Sequence, residues 1–191
     1  MSGLVIPFNG RRPVVHASAF VAPNATLIGE VEIGPMAGIW FNVTLRGDGP
    51  GIRIGENSNI QDGAVVHVAS YRRGTVVGRN VTVGHLALLH ACTVEDDAFI
   101  GMNSTVLDDA VVQSGAMVAA GALVTPGKVV KSGELWAGNP ARKIREITDK
   151  DRAMFRRSAL HYMELAKAYT GRPNVVDGTG PAPRDEDLLT R

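Results

Sequence analysis

Residues 94–130 read VEDDAFIGMNSTVLDDAVVQSGAMVAAGALVTPGKVV, a stretch in which every sixth residue is aliphatic. A helix would repeat its apolar face every three or four residues, and a sandwich would show turn signals roughly every 8–12 residues. A six-residue period is typical of a parallel β-helix, in which three hexads form one triangular coil. One aliphatic side chain per hexad points inward, and we call these positions anchors: Val94, Ile100, Val106, Val112, Val118, Val124 and Val130.

The same period runs through the first part of the chain, with anchors at Val15, Val21, Leu27, Ile33, Ile39 and Leu45. Between the two runs it continues with shifts, through Ile54, Ile60, Val66, Val77, Val83 and Leu89. Tight corners between strands favour Gly, Asn or Asp. We therefore predict an all-β fold with a parallel β-helix over residues 12–140. A connector and a C-terminal helix follow over 141–170, and a flexible tail over 171–191.

The bulk composition narrows the classes of partner. The chain has 20 Lys and Arg against 19 Asp and Glu, a formal net charge of +1. This balance predicts neither a nucleic-acid nor a membrane partner. The first residues, MSGLVIPFNGRRP, lack the apolar core of a signal peptide. A single cysteine, Cys92, fits a reducing compartment, so we expect a cytoplasmic protein.

Two histidines five residues apart stand in the apolar stretch VGHLALLHAC, residues 83–92. On a helix, residues five apart do not share a face. In the hexad register His67 and His90 each follow an anchor by one residue, and His85 follows Val83 by two. None of the three is an anchor, so all three are predicted to point outward.

The outward face that carries these histidines also carries Leu86 and Leu88. An apolar outer face favours packing against a partner, and a symmetric homo-oligomer is the simplest one. Three imidazoles that converge at such a junction would suit Zn²⁺, with a fourth position left for water. The alternative is a set of interface histidines that bond to backbone carbonyls.

The strings LRGD, IRIGENSNIQDGAVVHV, VVGRNVTVGHLALLHACTV, IGMNSTVLDDAVV and AGNPARKIREI resemble the gamma-class carbonic anhydrase family. The resemblance runs from about Pro7 through Tyr169. The hexapeptide repeat alone would be less specific, since many acyltransferases also have it. The resemblance implies a left-handed β-helix that forms a homotrimer with one metal in each of three interfaces. It also implies a lyase activity, the reversible hydration of CO₂ to bicarbonate by a metal-bound hydroxide.

The resemblance also implies the ligands and the residues around them. His67 and His90 would come from one subunit and His85 from its neighbour. The metal would be Zn²⁺, with Fe²⁺ or Co²⁺ as alternatives, because imidazole suits all three ions. The family's other site positions fall here on six residues: Arg46, Asp48, Asn59, Gln61, Asp62 and Tyr162.

These six positions have different implied roles. Gln61 would hydrogen-bond the metal-bound water or hydroxide, and Asn59 would support it. Arg46 and Asp48 match an arginine and an aspartate near the subunit boundary. Asp62 matches an acidic partner that would pair with such an arginine across that boundary.

Two departures from the family concern proton removal. The best-characterised members carry a glutamate directly after the RGD, where this chain has Gly49. They carry another in a loop after the first histidine ligand, where this chain reads VASYRRGT. Two alternatives to CO₂ hydration therefore remain open. The first is metal-dependent hydrolysis of a thioester or small ester, or acyl transfer, at the same site. The second is a trimeric scaffold whose metal is structural. Cys92 is expected to be a small buried residue rather than a ligand or nucleophile.

A helical pattern begins after Thr148, which with Asp151 resembles a capping box. One helix face carries Phe155, Ala159, Tyr162, Met163, Ala166 and Tyr169, and Gly171 fits a stop signal. We expect this helix to pack along the β-helix. Family relatives place a tyrosine of this helix near the metal, a role that would fall to Tyr162. The alternative is packing with its hydroxyl at the rim.

Overall fold

The structure is a computed structural model that describes residues 3–170. Its strands wind into a left-handed parallel β-helix of three flat faces, followed by one C-terminal helix, and this confirms the predicted fold class. The predicted flexible tail, residues 171–191, and the predicted stop at Gly171 lie outside the described residues.

Successive coils add one strand to each face. The first face holds β1 (Leu4–Ile6), β8 (Val65–His67), β11 (Leu88–His90), β14 (Thr105–Val106) and β17 (Leu123–Val124). The second face holds β2 (Val14–Val15), β9 (Thr75–Val77), β12 (Thr93–Val94), β15 (Val111–Val112) and β18 (Val129–Val130). Two long strands turn the corner between these faces and join them into one 12-stranded sheet: β4 (Thr26–Ile33) and β6 (Thr44–Ile54).

The third face is a separate 8-stranded sheet. It contains β3 (Phe20–Val21), β5 (Gly38–Ile39), β7 (Asn59–Ile60), β10 (Thr82–Val83), β13 (Phe99–Ile100), β16 (Met117–Val118), β19 (Glu134–Gly138) and β20 (Ala141–Glu146). Its strands pair in parallel except β19 and β20, which pair antiparallel. This hairpin therefore ends the stack of parallel coils.

The anchors fill the interior of the prism. All seven from Val94 to Val130 are at most 1% exposed, as predicted. Val15 differs, because it is 36% exposed although it occupies an anchor position. Its strand β2 pairs only with β4 and so lies at the end of the second face, where no further coil covers it.

The corners are made by residues with positive φ. At the corner between the second and third faces they repeat one coil apart, at Asn57, Asn80, Asp97, Gly115 and Gly133. Apart from Met36, which occupies this corner on an earlier coil with φ of +55°, these are the residue types that adopt the left-handed conformation at least cost. The predicted turn chemistry is therefore present at this corner.

Helix α1 (Asp149–Thr170) packs on the third face, against β3, β5, β7 and β10. The predicted capping box forms, since the Asp151 carboxylate accepts from Thr148 N–H at 2.7 Å and Thr148 Oγ1 accepts from Asp151 N–H at 3.3 Å. Phe155, Ala159 and Ala166 are buried against the sheet. Within the described range, no helix combines the length and apolar character needed to span a membrane.

Candidate metal centre at the two edges of one face

His67 and His90 are neighbours on adjacent coils. Both end their strands on the first face, and they are directly paired in the parallel register of β8 and β11. Their ring centres are 5.0 Å apart and their planes are inclined by 54°. Each follows a buried anchor by one residue, so each side chain points outward at the corner between the first and second faces, as predicted.

Each of these two imidazoles has a carboxylate at one ring nitrogen. His67 Nε2 lies 3.0 Å from Asp48 Oδ1, and His90 Nδ1 lies 2.5 Å from Asp108 Oδ1. The Arg46 guanidinium also contacts Asp48. Burial acts to raise the pKa of Asp48, but hydrogen bonds from His67 and Arg46 and the charge of Arg46 outweigh it and hold that pKa below its ordinary value.

His85 lies at the opposite edge of the same face, in the turn between β10 and β11. Its Nδ1 is 2.9 Å from Asp62 Oδ2, and its Nε2 is 3.1 Å from the Tyr162 hydroxyl. With Nδ1–H donating to the carboxylate, the tyrosine hydroxyl donates to Nε2. Burial, followed by the charge of Asp62, raises the pKa of Tyr162. The Tyr162 hydroxyl therefore contacts a predicted ligand, and its position near a bound metal stays a prediction.

Gln61 and Asn59 are both buried and hydrogen-bonded to each other. Gln61 Nε2 donates to Asn59 Oδ1 at 3.0 Å, and Asn59 Nδ2 donates to Thr82 Oγ1 at 3.1 Å. Thr82 in turn reaches Ser158 of α1 at 3.1 Å. This chain fixes the amide of Gln61 at the His85 edge, directly beside Asp62 in sequence.

The predicted site residues therefore form two groups on this chain, and Asp108 joins the first of them. The first half-site lies at the corner between the first and second faces and consists of Arg46, Asp48, His67, His90 and Asp108. The second half-site lies at the corner between the third and first faces and consists of Asn59, Gln61, Asp62, His85 and Tyr162. Over residues 3–170, no three His, Cys, Asp or Glu side chains are grouped closely enough to hold a metal ion.

Arg46 and Asp62 each have a polar partner within the chain. Arg46 pairs with Asp48, and Asp62 pairs with His85. The predicted pairing of Arg46 with Asp62 across a subunit boundary stays a prediction.

The first half-site fits two ligands of a divalent metal. Two imidazoles that bind one tetrahedral ion at about 2.1 Å have ring centres roughly 5 Å apart, which agrees with the spacing of His67 and His90. Metal-binding histidines usually give their second ring nitrogen to a carboxylate, as His90 does to Asp108. The donor set suits Zn²⁺, Fe²⁺ or Co²⁺, and it lacks a third ligand within the half-site.

Two residues next to the histidines have strained backbone. Leu86 and Ala91 directly follow His85 and His90, and their φ angles are +60° and +49°. Neither is a residue type that favours this region. Leu86 is also 64% exposed, so a large apolar side chain projects from the His85 edge of the first face.

Asp108 was not among the residues predicted from sequence. The coil from Leu89 to Val106 has 17 residues, so Asp108, 18 residues after His90, lies one residue beyond the position that corresponds to His90 on the next coil. The register therefore brings Asp108 near His90 only when the five-residue step from Leu89 to Val94 is taken into account. Cys92 is completely buried, and burial raises its pKa to about 12. As expected, it is a small core residue, and a thiol with such a pKa is not an activated nucleophile.

A groove lies elsewhere on the surface. It runs along the other flank of α1, with a volume of about 560 Å³, and its walls include Asn80, Asp97, Arg152, Phe155 and Leu160. It contains no histidine, and most of its polar side chains are exposed. The chemistry of the two half-sites therefore makes them the stronger candidate.

Comparisons with known proteins agree with this architecture. The chain is 48% identical to gamma carbonic anhydrase 1, mitochondrial, of Arabidopsis thaliana over 164 residues, which are 83% of this chain and 60% of that protein. The chain thus spans less than two thirds of the Arabidopsis relative. It is 44% identical to a carbonic anhydrase of Geobacillus kaustophilus over 166 residues, 87% of this chain and 91% of that protein.

A solved structure is similar over almost its whole length. It is a hexapeptide transferase family protein from Anaplasma phagocytophilum, 47% identical, with a TM-score of 0.84. The match covers 88% of this chain and 99% of that one. No family model matches the chain.

Proposed function

This chain belongs to the gamma carbonic anhydrase family of hexapeptide-repeat proteins, and on that premise we propose that it hydrates CO₂ reversibly to bicarbonate at metal sites between the subunits of a homotrimer. The observation that carries the proposal is the division of the predicted site into two half-sites at opposite edges of one face. The first half-site has two of the three predicted histidine ligands and the second has the third, so neither alone holds the full set.

A threefold rotation joins the two half-sites. In a closed ring of three subunits, one edge of each subunit faces the other edge of its neighbour. His67 and His90 of one subunit would then meet His85 of the next, at three equivalent positions. The exposed apolar Leu86, directly after His85, supplies surface that such a contact would bury.

Zn²⁺, or Fe²⁺ or Co²⁺ in its place, would be held by these three imidazoles. When bound, such an ion acts as a Lewis acid and lowers the pKa of a water molecule toward neutrality, which supplies the nucleophile for CO₂. Asp48 and Asp108 hold the rings of His67 and His90 through their other nitrogens. Arg46 keeps Asp48 ionised and in place.

Gln61 would orient the attacking oxygen. Its amide nitrogen is committed to Asn59, so its side-chain oxygen remains the group that can accept a hydrogen bond from a water molecule. Because the amide is buried and its supporting chain reaches α1, its direction is fixed before the substrate enters. This is a preorganised acceptor of the kind that favours one geometry of attack.

Proton removal is expected to limit the rate. Each hydration releases a proton that must reach solvent. The loop after His67 carries Arg72 and Arg73 but no acid, and Arg73 is held by Asp109 and Thr93. The chain therefore depends on solvent or buffer to carry the proton away.

Hydrolysis of a thioester or small ester, or acyl transfer, at the same histidines is the second candidate function. The observation in its favour is the 47% identity to a protein named as a hexapeptide transferase. Since Cys92 is buried and its pKa is raised, water rather than the thiol would attack the ester. The cytoplasmic location stays a prediction, and the Arabidopsis relative is named as mitochondrial.

Metal analysis and stopped-flow kinetics test the proposal. Purified protein loaded with Zn²⁺, or with Fe²⁺ under anaerobic conditions, should bind about one metal per chain and hydrate CO₂. His90→Ala should lose both properties. His16→Ala should keep them, because His16 is exposed and, among residues 3–170, its ring bonds only to Ser18. A fully loaded trimer that leaves CO₂ untouched but cleaves members of a thioester panel would favour the second candidate.

A further inference from the structure

Asp108 stands over His90 on the next coil of the β-helix. The two residues are 18 positions apart, and Asp108 Oδ1 lies 2.5 Å from His90 Nδ1. In the described part of the chain His90 is the only side chain that forms a hydrogen bond or ion pair with the Asp108 carboxylate. The neighbouring carboxylate, Asp109, pairs instead with Arg73 at 3.1 Å.

The position of Asp108 is set by the backbone of the coil. It lies two residues after Val106, an anchor that is completely buried. The Asp108 carbonyl accepts a hydrogen bond of 2.8 Å from Gly127 N–H, one coil further on. The Asp108 carboxylate therefore lies on a turn whose backbone is held by the buried Val106 and by the hydrogen bond from Gly127.

Two carboxylates lie on opposite sides of the histidine pair along the axis of the β-helix. Asp48 lies on the side of His67, and Asp108 lies on the side of His90. The nitrogen that Asp108 holds is Nδ1, so the Nε2 lone pair of His90 is left for another ligand. An ionised carboxylate only accepts hydrogen bonds, so it selects the tautomer with the proton on Nδ1.

We propose that Asp108 is a positioning residue, which holds His90 as the Nδ1–H tautomer and directs Nε2 to the metal. The metal part of this inference rests on the proposed function. The tautomer part does not, because it is a property of the subunit in the absence of metal. A carboxylate behind a ligating histidine typically contributes roughly ten- to hundredfold to metal affinity.

The alternative is an ordinary surface contact that contributes nothing to the site. Asp108→Asn separates the two cases, since asparagine has the same shape but no charge: its neutral amide oxygen is a weaker acceptor for Nδ1–H, and its N–H donors favour the other tautomer. Asp109→Asn is the matched control, because its carboxylate is next in sequence but bonds to Arg73. Thermal unfolding of both variants checks that the coils are intact.

The first measurement is nitrogen-15 NMR of histidine-labelled, metal-free protein at a pH where the rings are neutral. The His90 signal is identified by its loss in His90→Gln. Wild type and Asp109→Asn should show the proton of His90 on Nδ1, and Asp108→Asn should shift it toward Nε2. A proton on Nε2 in the wild type, or no change in Asp108→Asn, would overturn the inference.

The second measurement is competition for Zn²⁺ against a chromophoric chelator. Asp108→Asn should bind Zn²⁺ roughly ten- to hundredfold more weakly than wild type, with Asp109→Asn unchanged. Equal affinities of all three proteins would refute the positioning role. A wild type that binds no Zn²⁺ would refute the proposed function, while the NMR measurement still decides the tautomer.

Discussion

The hydroxyl of Tyr162 lies 3.1 Å from Nε2 of His85, although 77 residues separate the two in sequence. This contact joins α1 to the edge of the first face. Asp62 Oδ2 lies 2.9 Å from the other ring nitrogen, so both nitrogens of His85 have partners within the same chain. If His85 binds metal through Nε2, the tyrosine must give up this hydrogen bond.

Removing the tyrosine hydroxyl should therefore strengthen metal binding. A hydrogen bond of this kind contributes about 0.5–1.5 kcal/mol, so Tyr162→Phe should raise Zn²⁺ affinity by up to about tenfold. Chelator competition measures the change. Tyr169→Phe is the control, because that ring packs in the same aromatic cluster without contacting His85. Weaker binding in Tyr162→Phe alone would mean that the hydroxyl supports the metal site instead of competing with it.

Leu86 should stabilise the association of subunits. Its side chain projects beside His85 while its backbone is in the left-handed region, a conformation that costs roughly 1–2 kcal/mol for such a residue. Leu86→Asn should relieve the strain, since asparagine occupies the equivalent corner position at Asn103. It should also weaken the trimer, which should then begin to dissociate at a higher protein concentration than the wild-type trimer does. Sedimentation over a concentration series measures this.

Leu160→Asn is the control for the Leu86 experiment. Leu160 is 59% exposed, close to the 64% of Leu86, but it lines the groove on the other flank of α1. It should leave the association unchanged. Equal behaviour of the two variants would place the subunit contact elsewhere.

The rate of CO₂ hydration should depend on external proton acceptors. Neither position 49 nor the loop after His67 carries an acid. We therefore expect kcat to rise with buffer concentration at constant pH and ionic strength. Gly49→Glu should raise kcat several-fold at low buffer. The new Cβ would approach the Val68 side chain at 3.3 Å, a contact that a small shift relieves. Gly49→Gln supplies the same bulk without the acid, and a gain in that variant would contradict the explanation.

The lowered pKa of Asp48 gives a pH dependence of stability with a definite sign. A carboxyl whose pKa is lower in the folded than in the unfolded state stabilises the fold above its ordinary value of 3.8. That contribution is lost as the pH falls through the lower, folded value. The difference in unfolding free energy between wild type and Asp48→Asn should thus be present near neutral pH and disappear in acid.

Denaturant unfolding across the acid range measures this difference. Asp96→Asn is the matched control, since Arg79 lowers the pKa of Asp96 in the same way at a place remote from the histidines. Both variants should lose stability at neutral pH, but only Asp48→Asn should weaken metal binding. A constant difference down to the lowest pH would contradict the lowered pKa.

Much of the fold could be read from the period of the sequence. Once Val94 and its successors are recognised as anchors, His67, His85 and His90 must point outward, because each follows an anchor by one or two residues. The corner residues follow as well, since Asn57 and Gly115 are types that tolerate positive φ. These features depend on local spacing, which a single sequence displays.

The rest depends on contacts that spacing does not determine. Tyr162 reaches His85 because α1 lies at one angle on the third face, set by packing of its aromatic residues on Trp40. Asp108 meets His90 only when the five-residue step from Leu89 to Val94 is placed correctly in the register. Val15 is exposed because the coil stack ends there, and a repeat pattern does not show which coil is last.

Mixed trimers test the division of the site between subunits most directly. His85→Ala removes the second half-site and His90→Ala removes the first, so neither homotrimer should bind metal. In trimers that contain both variants, one interface joins two intact half-sites, and about one metal per trimer should bind. Mixtures of His67→Ala with His90→Ala, which damage the same half-site, should bind none. Mixed His85→Ala and His90→Ala trimers that bind no metal, beside a wild type that binds three, would contradict the shared site.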